Sequence, residues 1–214
     1  MERKTTHTLP PDIQQKLKDL RDFVVLDVET TGFDNRKNHV IEIGMIKVED
    51  GKEVAIFSSF INPGTPIPTH ITNLTGITDA DVQSAPHFDE IANEIVAFMG
   101  DAILVGHNVQ FDIGFMRSEF MHCCIRKDFH YVDTLFLARK AFPALKSHKL
   151  SNLIVHLGFE ETQSHRALDD ARWTLKVLTT ICDRYVTPSL DDTIKACKSH
   201  FSTRRTQTNT LKER

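Results

Sequence analysis

The stretch Phe23-Val24-Val25-Leu26-Asp27-Val28-Glu29-Thr30-Thr31-Gly32 decides how the rest of the chain is read. Its first four residues form an unbroken apolar run, which fits a central strand buried on both faces. Asp27 and Glu29 stand two apart, so on a strand both side chains leave the same face. Two acids gathered at the end of a buried strand repel each other and lose hydration. Either the strand emerges into solvent at that point, or the pair has a task.

Working outward, Val40 to Val48 and Val54 to Ile61 read as two more strands, joined by Asp50-Gly51, a strong hairpin signal. The segment Asn62-Pro63-Gly64-Thr65-Pro66-Ile67-Pro68 is a loop. Asp89 to Met99 carries Ile91, Ile95 and Phe98 at helical spacing. Ile103-Leu104-Val105 is a buried strand, followed by Gly106-His107-Asn108 and a helix to about His122. Tyr131-Val132-Asp133 opens a fifth strand with a helix after it, Asp133 serving as its N-cap. Two helices follow near 148–157 and 167–185, and a short leading helix occupies 10–20. Three strands in an antiparallel meander, then helix and strand in alternation, require a mixed sheet, because strands joined through helices run parallel. The expected fold is α/β and RNase H-like: a mixed five-stranded sheet flanked by helices.

Composition bounds the rest. With 214 residues, 40% hydrophobic and 14 Phe, the chain can bury a full-sized core. No apolar run reaches the length of a membrane span, and Met1 to Leu20 is too polar for a secretory signal. Cys123, Cys124, Cys182 and Cys197 show no C-x-x-C spacing, so neither a cysteine zinc site nor a disulfide framework is expected, and a cytoplasmic setting is the default. The net charge of −3 does not suit a protein that grips long duplexes by neutralising phosphates, although a bound divalent cation can supply local positive charge. Beyond Pro188 the sequence is polar, and from Lys195 it is basic, as in a solvated terminus.

Two further acids break the apolar pattern. Asp112 shares a helix face with Phe115 and Met116, with no Lys or Arg three or four residues away. Asn108 reads as the N-cap of that helix, leaving Asp112 inside it. Asp170 borders the face of the last helix that buries Ala171, Leu175, Leu178 and Cys182, on one row with Trp173 and Val177. Its neighbour Asp169 is explained as a first-turn acid favoured by the helix dipole. Each alone is an ordinary helix-edge residue, and His165 alone an exposed loop histidine. Together the four acids cannot all stay ionised and unpaired, since two unit charges ~4 Å apart repel by about 4 kcal/mol at an effective dielectric of 20. An oxygen-only donor set selects Mg²⁺ or Mn²⁺. Two such ions support in-line attack at phosphorus, and an imidazole takes the proton of the attacking water near neutral pH.

The segments Asp27-Val-Glu29-Thr-Thr-Gly32, Gly106-His-Asn-Val-Gln-Phe-Asp112 and His165-Arg-Ala-Leu-Asp-Asp170 resemble the three exonuclease motifs of the DnaQ-like, or DEDDh, family. Ile71-Thr-Asn-Leu-Thr-Gly-Ile-Thr78 resembles a fourth stretch common in its DNA-directed members. The match runs over about residues 22–185 and is most similar to members that proofread for a replicative polymerase, such as the epsilon subunit of bacterial DNA polymerase III. The resemblance implies an RNase H-like fold, two divalent ions (Mg²⁺ or Mn²⁺), and release of 5′-mononucleotides from a 3′ end. It implies metal ligation by Asp27, Glu29, Asp112 and Asp170, and a general base at His165, where the tyrosine branch carries Tyr. It further implies that Thr30 and Thr31 approach the terminal nucleotide through backbone and hydroxyl groups. Leu74 and Thr75 would wall in its base, and Asn108 and Phe111 would border the site. The organisation expected is a helical extension at 1–20, an exonuclease domain at 21–188 and a basic tail at 189–214. Expected partners are nucleic-acid 3′ ends, DNA ahead of RNA, with a polymerase or other replication or repair protein, or a second copy of the chain, as candidates. Trimming of RNA ends is the rival reading, and a non-catalytic nucleic-acid-binding module the other.

Overall fold

The computed structural model describes residues 9–18, 20–160 and 165–185. Of the expected extension, residues 1–8 and 19 lie outside these, as do the end of the expected domain at 186–188 and the whole tail at 189–214.

Five strands form one sheet. β1 (Phe23–Thr30) pairs antiparallel with β2 (Val40–Glu49), which pairs antiparallel with β3 (Lys52–Phe60). On the other side of β1, β4 (Ile103–Gly106) and β5 (Tyr131–Asp133) run parallel to it, giving the order β3-β2-β1-β4-β5. The mixed five-stranded sheet is the one expected. The β2–β3 hairpin turns on Asp50 and Gly51, whose φ of 50° and 74° are the two left-handed positions that such a tight turn needs. Alternation along β1 sends Val24, Leu26 and Val28 to one face and Phe23, Val25, Asp27 and Glu29 to the other.

Each face is covered by helices. The Val24 face packs on α4 (Phe88–Met99) and α5 (Gln110–His122), with Ile95, Phe115, Met116 and Phe120 buried against Ile43 and Met45 of β2. The opposite face packs on α6 (Thr134–Ala141), α7 (Leu150–His156) and α8 (Ala167–Tyr185). Leu9, with Ile13 and Leu17 of the leading helix α1 (Pro11–Leu17), joins that second core beside Val177 and Ile181 of α8. On α8 the buried row is Asp170, Trp173, Thr174, Val177 and Ile181, whereas Leu175 and Cys182 are only partly covered.

Two short helices went unread in the sequence: α2 (Thr69–Thr75) and α3 (Asp79–Val82). Their signals were present but local. Gly76, at φ 74°, ends α2 in the left-handed conformation, and Thr78 and Asp81 cap α3 reciprocally. A second correction concerns Asn108. It is not the N-cap of α5: that position falls to Val109, no side chain caps the helix, and Asn108 itself is left-handed at φ 64°. The helix starts one residue later than expected, so Asp112 lies in its first turn. Asparagine tolerates the left-handed region better than most residues. Asp133, by contrast, is the N-cap of α6 as expected, its carboxylate accepting from Leu135 N at 2.9 Å.

Candidate active site

The strands β1, β4 and β5 run parallel, so their carboxyl ends open on the same edge of the sheet. β1 is also where the order changes from antiparallel to parallel neighbours. Crevices at such points are where open α/β sheets hold ligands. Asp27 and Glu29 occupy that end of β1, half-buried, on the face covered by α8.

Asp112 reaches the same end from α5. Its Oδ1 accepts from Val28 N at 3.0 Å, so the backbone between the two β1 acids fixes the third. Asp170 comes from the first turn of α8 and is 2% exposed. Gly44 of β2, in register with Asp27, lets α8 approach: a Cβ there would stand 2.3 Å from Leu168 N and 2.4 Å from Ala167 C. No side chain fits at that contact. His165, in the turn before α8 at φ 51°, offers a nitrogen within 4.8 Å of carboxylate oxygens of Glu29 and Asp170. Five residues from three distant stretches are therefore brought to one edge.

The electrostatics follow from that crowding. Burial pushes the Asp27 carboxyl well above the usual carboxylate range, and Asp112, Asp170, Glu29 and Glu42 push it further. Glu29 is pushed up to about 8, first by burial and then by Asp170, Glu42 and Asp112, with Arg166 opposing. Asp112 is also raised by burial, against the pull of the Val28 N–H. Such a cluster is stable near neutral pH only when protonated or when cations sit among the oxygens. An all-carboxylate donor set with raised proton affinity fits hard divalent cations.

Two residues of this region drew no functional reading from the sequence. Glu42, 3% exposed on β2, takes three hydrogen bonds from Arg166, from Nε at 3.1 and 3.2 Å and Nη2 at 2.8 Å. It takes another from Ala167 N at 3.0 Å. The Arg166 guanidinium lies over the Phe60 ring at 5.0 Å. This clamp holds the residue next to His165 and the first residue of α8. Its sequence signal was slight, a single acid inside the apolar run Val40–Met45.

The expected substrate contacts are unevenly disposed. Thr30 and Thr31 are buried, with hydroxyls engaged in their own turn. Thr30 Oγ1 donates to Gly32 O at 2.7 Å, and Thr31 Oγ1 accepts from His39 N at 2.9 Å. Thr75 is likewise buried and donates back to Ile71 O at 3.0 Å, while Leu74 beside it is largely exposed. Asn108 is exposed, its N–H held by Asp133 Oδ1 at 3.0 Å. Phe111 is half-buried between Phe115 and Phe33, with centroids at 5.0 and 6.5 Å. Phe33 itself, unremarked in the sequence, is 76% exposed. Below this rim His107 bonds Thr134 Oγ1 at 2.9 Å and His148 O at 2.8 Å, and burial lowers its pKa. Nε2 donates to that carbonyl, since a carbonyl only accepts, and Thr134 Oγ1 also donates to Gly106 O at 3.1 Å.

Comparison with known proteins agrees with this architecture. The family model for exonucleases of the RNase T type matches residues 24–178. A DNA polymerase III of PolC type from Clostridium perfringens is 41% identical over 157 residues, 73% of this chain and 11% of that protein. The chain therefore spans about a tenth of the length of the PolC-type relatives it matches. A DNA polymerase III epsilon subunit from Aquifex aeolicus is 40% identical over 163 residues, 75% of this chain and 80% of that one. Among solved structures, the nuclease domain of 3′hExo, a DEDDh family member bound to rAMP, superposes with a TM-score of 0.67. It does so over 79% of this chain and 96% of that one, at 16% identity, a likeness of fold. With most of its length matched by the family model and four-fifths of an epsilon subunit covered at 40% identity, the chain belongs to the exonuclease family, in its DnaQ-like, DEDDh branch.

Proposed function

We propose that the chain hydrolyses the terminal phosphodiester bond at the 3′ end of DNA, single-stranded or frayed, and releases 5′-mononucleotides. The observation that carries this reading is the all-oxygen cluster of half-buried Asp27 and Glu29 and buried Asp112 and Asp170, with His165 at its edge. Asp27, Glu29, Asp112 and Asp170 would hold two Mg²⁺ or Mn²⁺ ions, which supply charge stabilisation at the phosphoryl group and make the attacking water more acidic. His165 takes the proton of that water through a ring nitrogen as its oxygen attacks phosphorus. The bond from phosphorus to the 3′-oxygen of the preceding nucleotide breaks, and that oxygen is protonated on release. Glu42 and Arg166 keep His165 at the edge of the cluster. Exposed Leu74 and Phe33, with Phe111, offer apolar surface to a terminal base, and Asn108 borders the same crevice. Thr30, Thr31 and Thr75 act through the backbone they brace, since their hydroxyls are already bonded.

DNA is favoured as substrate because relatives at about 40% identity are DNA polymerase III components. A cytoplasmic setting, and a polymerase or other replication or repair protein as partner, follow from the same kinship. RNA trimming is the second reading, motivated by the fold-level likeness to a nuclease bound to rAMP. The unit carrying this activity is taken as 21–188, with 1–20 leading and 189–214 trailing. The test is digestion of 3′-labelled single strands of DNA and RNA, side by side, with Mg²⁺, with Mn²⁺ and with chelator. Metal-dependent release of deoxynucleoside monophosphates from DNA in preference to RNA is expected; release without metal, or none from the 3′ end, overturns the reading.

A further inference from the structure

At the other end of α5 a second group of ionisable side chains converges. Glu119 is buried, its side chain 7% exposed, and its Oε1 accepts from Val40 N at 3.1 Å. His39, in the link before β2, brings Nδ1 to 3.2 Å from Oε1, and His122, one turn along α5, brings Nδ1 to 3.6 Å from Oε2. The three residues offer donor atoms all within 4.8 Å of one another, and the two imidazoles lie 6.2 Å apart by centroid. Among the described residues no lysine or arginine pairs with Glu119; its side-chain partners are these two histidines. The group lines a cavity of about 360 Å³ that also admits His87, Asp89 and Cys123 to its wall.

We propose that His39, Glu119 and His122 form a binding site for one zinc-class dication, separate from the carboxylate centre. The donor set is the first argument: two imidazoles and one carboxylate suit zinc and its neighbours, whereas magnesium prefers oxygen alone. Spacing is the second. Tetrahedral zinc with bonds of about 2.0–2.1 Å sets its donors about 3.3 Å apart. Nδ1 of His39 stands at that separation from Oε1, 3.2 Å, and Nδ1 of His122 close to it from the other carboxylate oxygen, 3.6 Å, so a small shift of the His122 ring lets both join one ion. As the structure stands, Nδ1 of His39 donates to Glu119, and the ion takes the place of that proton. The cavity leaves its remaining coordination to solvent or to Cys123. Glu119 lies seven residues beyond Asp112, about 10 Å along the helix, so the two centres do not share ligands. Bound metal would tie α5, which carries Asp112, to the start of β2, which carries Glu42. Cysteine spacing gave no sign of this site because its ligands come from histidines and an acid.

The test is zinc binding by the full chain in excess Mg²⁺, which occupies the carboxylate centre, alongside His39→Ala, His122→Ala and Asp170→Ala. His122 is largely exposed, so its replacement leaves the fold intact, as circular dichroism would verify. One Zn²⁺ per chain is expected in the parent and in Asp170→Ala. Each histidine variant should bind at least about a hundredfold more weakly. Zinc should raise the melting temperature of the parent and of Asp170→Ala but not of His122→Ala, and Co²⁺ should give a tetrahedral visible spectrum that His122→Ala lacks. Equal zinc binding by the parent and His122→Ala, or no zinc bound by the parent, overturns the proposal. Zinc lost only in Asp170→Ala would assign it to the carboxylate centre and also refute the site. None of these outcomes depends on nuclease activity.

Discussion

Glu29 and Glu42 face each other across β1 and β2, in register and on the same face of the sheet, yet the fold treats them in opposite ways. Glu42 is enclosed by a guanidinium and a backbone N–H, every donor supplied by the chain. Glu29 stands among three further carboxylates, and its pKa is pushed up to about 8. The difference teaches where counter-charge comes from. The acid that must hold a loop in place is neutralised from within, permanently. The acids proposed to hold a charged ligand are left with a repulsion that only protons or cations relieve.

Four experiments would break or sharpen that comparison. The largest effect is expected from Asp27→Asn, which should reduce nuclease turnover by about 10³-fold or more. In metal-free buffer at neutral pH the same variant should melt higher than its parent, because Asn needs no proton taken up on folding, whereas burial and its neighbours force one onto Asp27. Retained turnover, or a lower melting temperature, would place the essential repulsion elsewhere. Next comes Gly44→Ala. Its Cβ would strike backbone atoms of Ala167 and Leu168, which cannot rotate away. Denaturant unfolding should show a loss of about 3 kcal/mol, and displacement of Asp170 and His165 should lower turnover on the order of a hundredfold.

Glu42→Gln keeps the shape and removes the charge. Breaking a fully buried pair costs about 3–5 kcal/mol, but Arg166 is 45% exposed, so about 1–2 kcal/mol is expected here. Turnover should fall about tenfold with KM little changed, since the clamp orients His165 and holds no substrate. A rise in KM alone would mean that Arg166 contacts the nucleic acid instead. The smallest effect on turnover, none being asked of it, is the pH dependence of stability without metal. Folded Glu29 keeps its proton up to about 8, whereas the unfolded chain releases it near 4.5. Between those values the folded state binds more protons, so stability declines as pH rises through the window. Melting temperatures in chelator should fall by on the order of ten degrees across it, and Mg²⁺ or Mn²⁺ should flatten the trend.

The acids themselves were legible before any coordinates. Asp27 and Glu29 followed from two-residue alternation on a strand, and Asp112 from its row with Phe115 and Met116. Asp170 followed in the same way from its row with Trp173 and Val177. The Asp50-Gly51 hairpin and the N-cap at Asp133 were equally readable, because their chemistry is complete within a few residues. Asn108 misled for the same reason: an asparagine before an apolar helix has the look of a cap, and its left-handed backbone depends on Asp133 holding its N–H from another strand.

What the sequence determined by itself is the order of strands and helices and the identity of the acids, since periodicity and charge are properties of the chain. Only the tertiary structure decided which acids would share a place. Glu42 meets a guanidinium 124 residues away, and Glu119 meets a histidine 80 residues away. Such pairings carry no local pattern, because the energy of a charge depends on what surrounds it in space and only folding sets those neighbours.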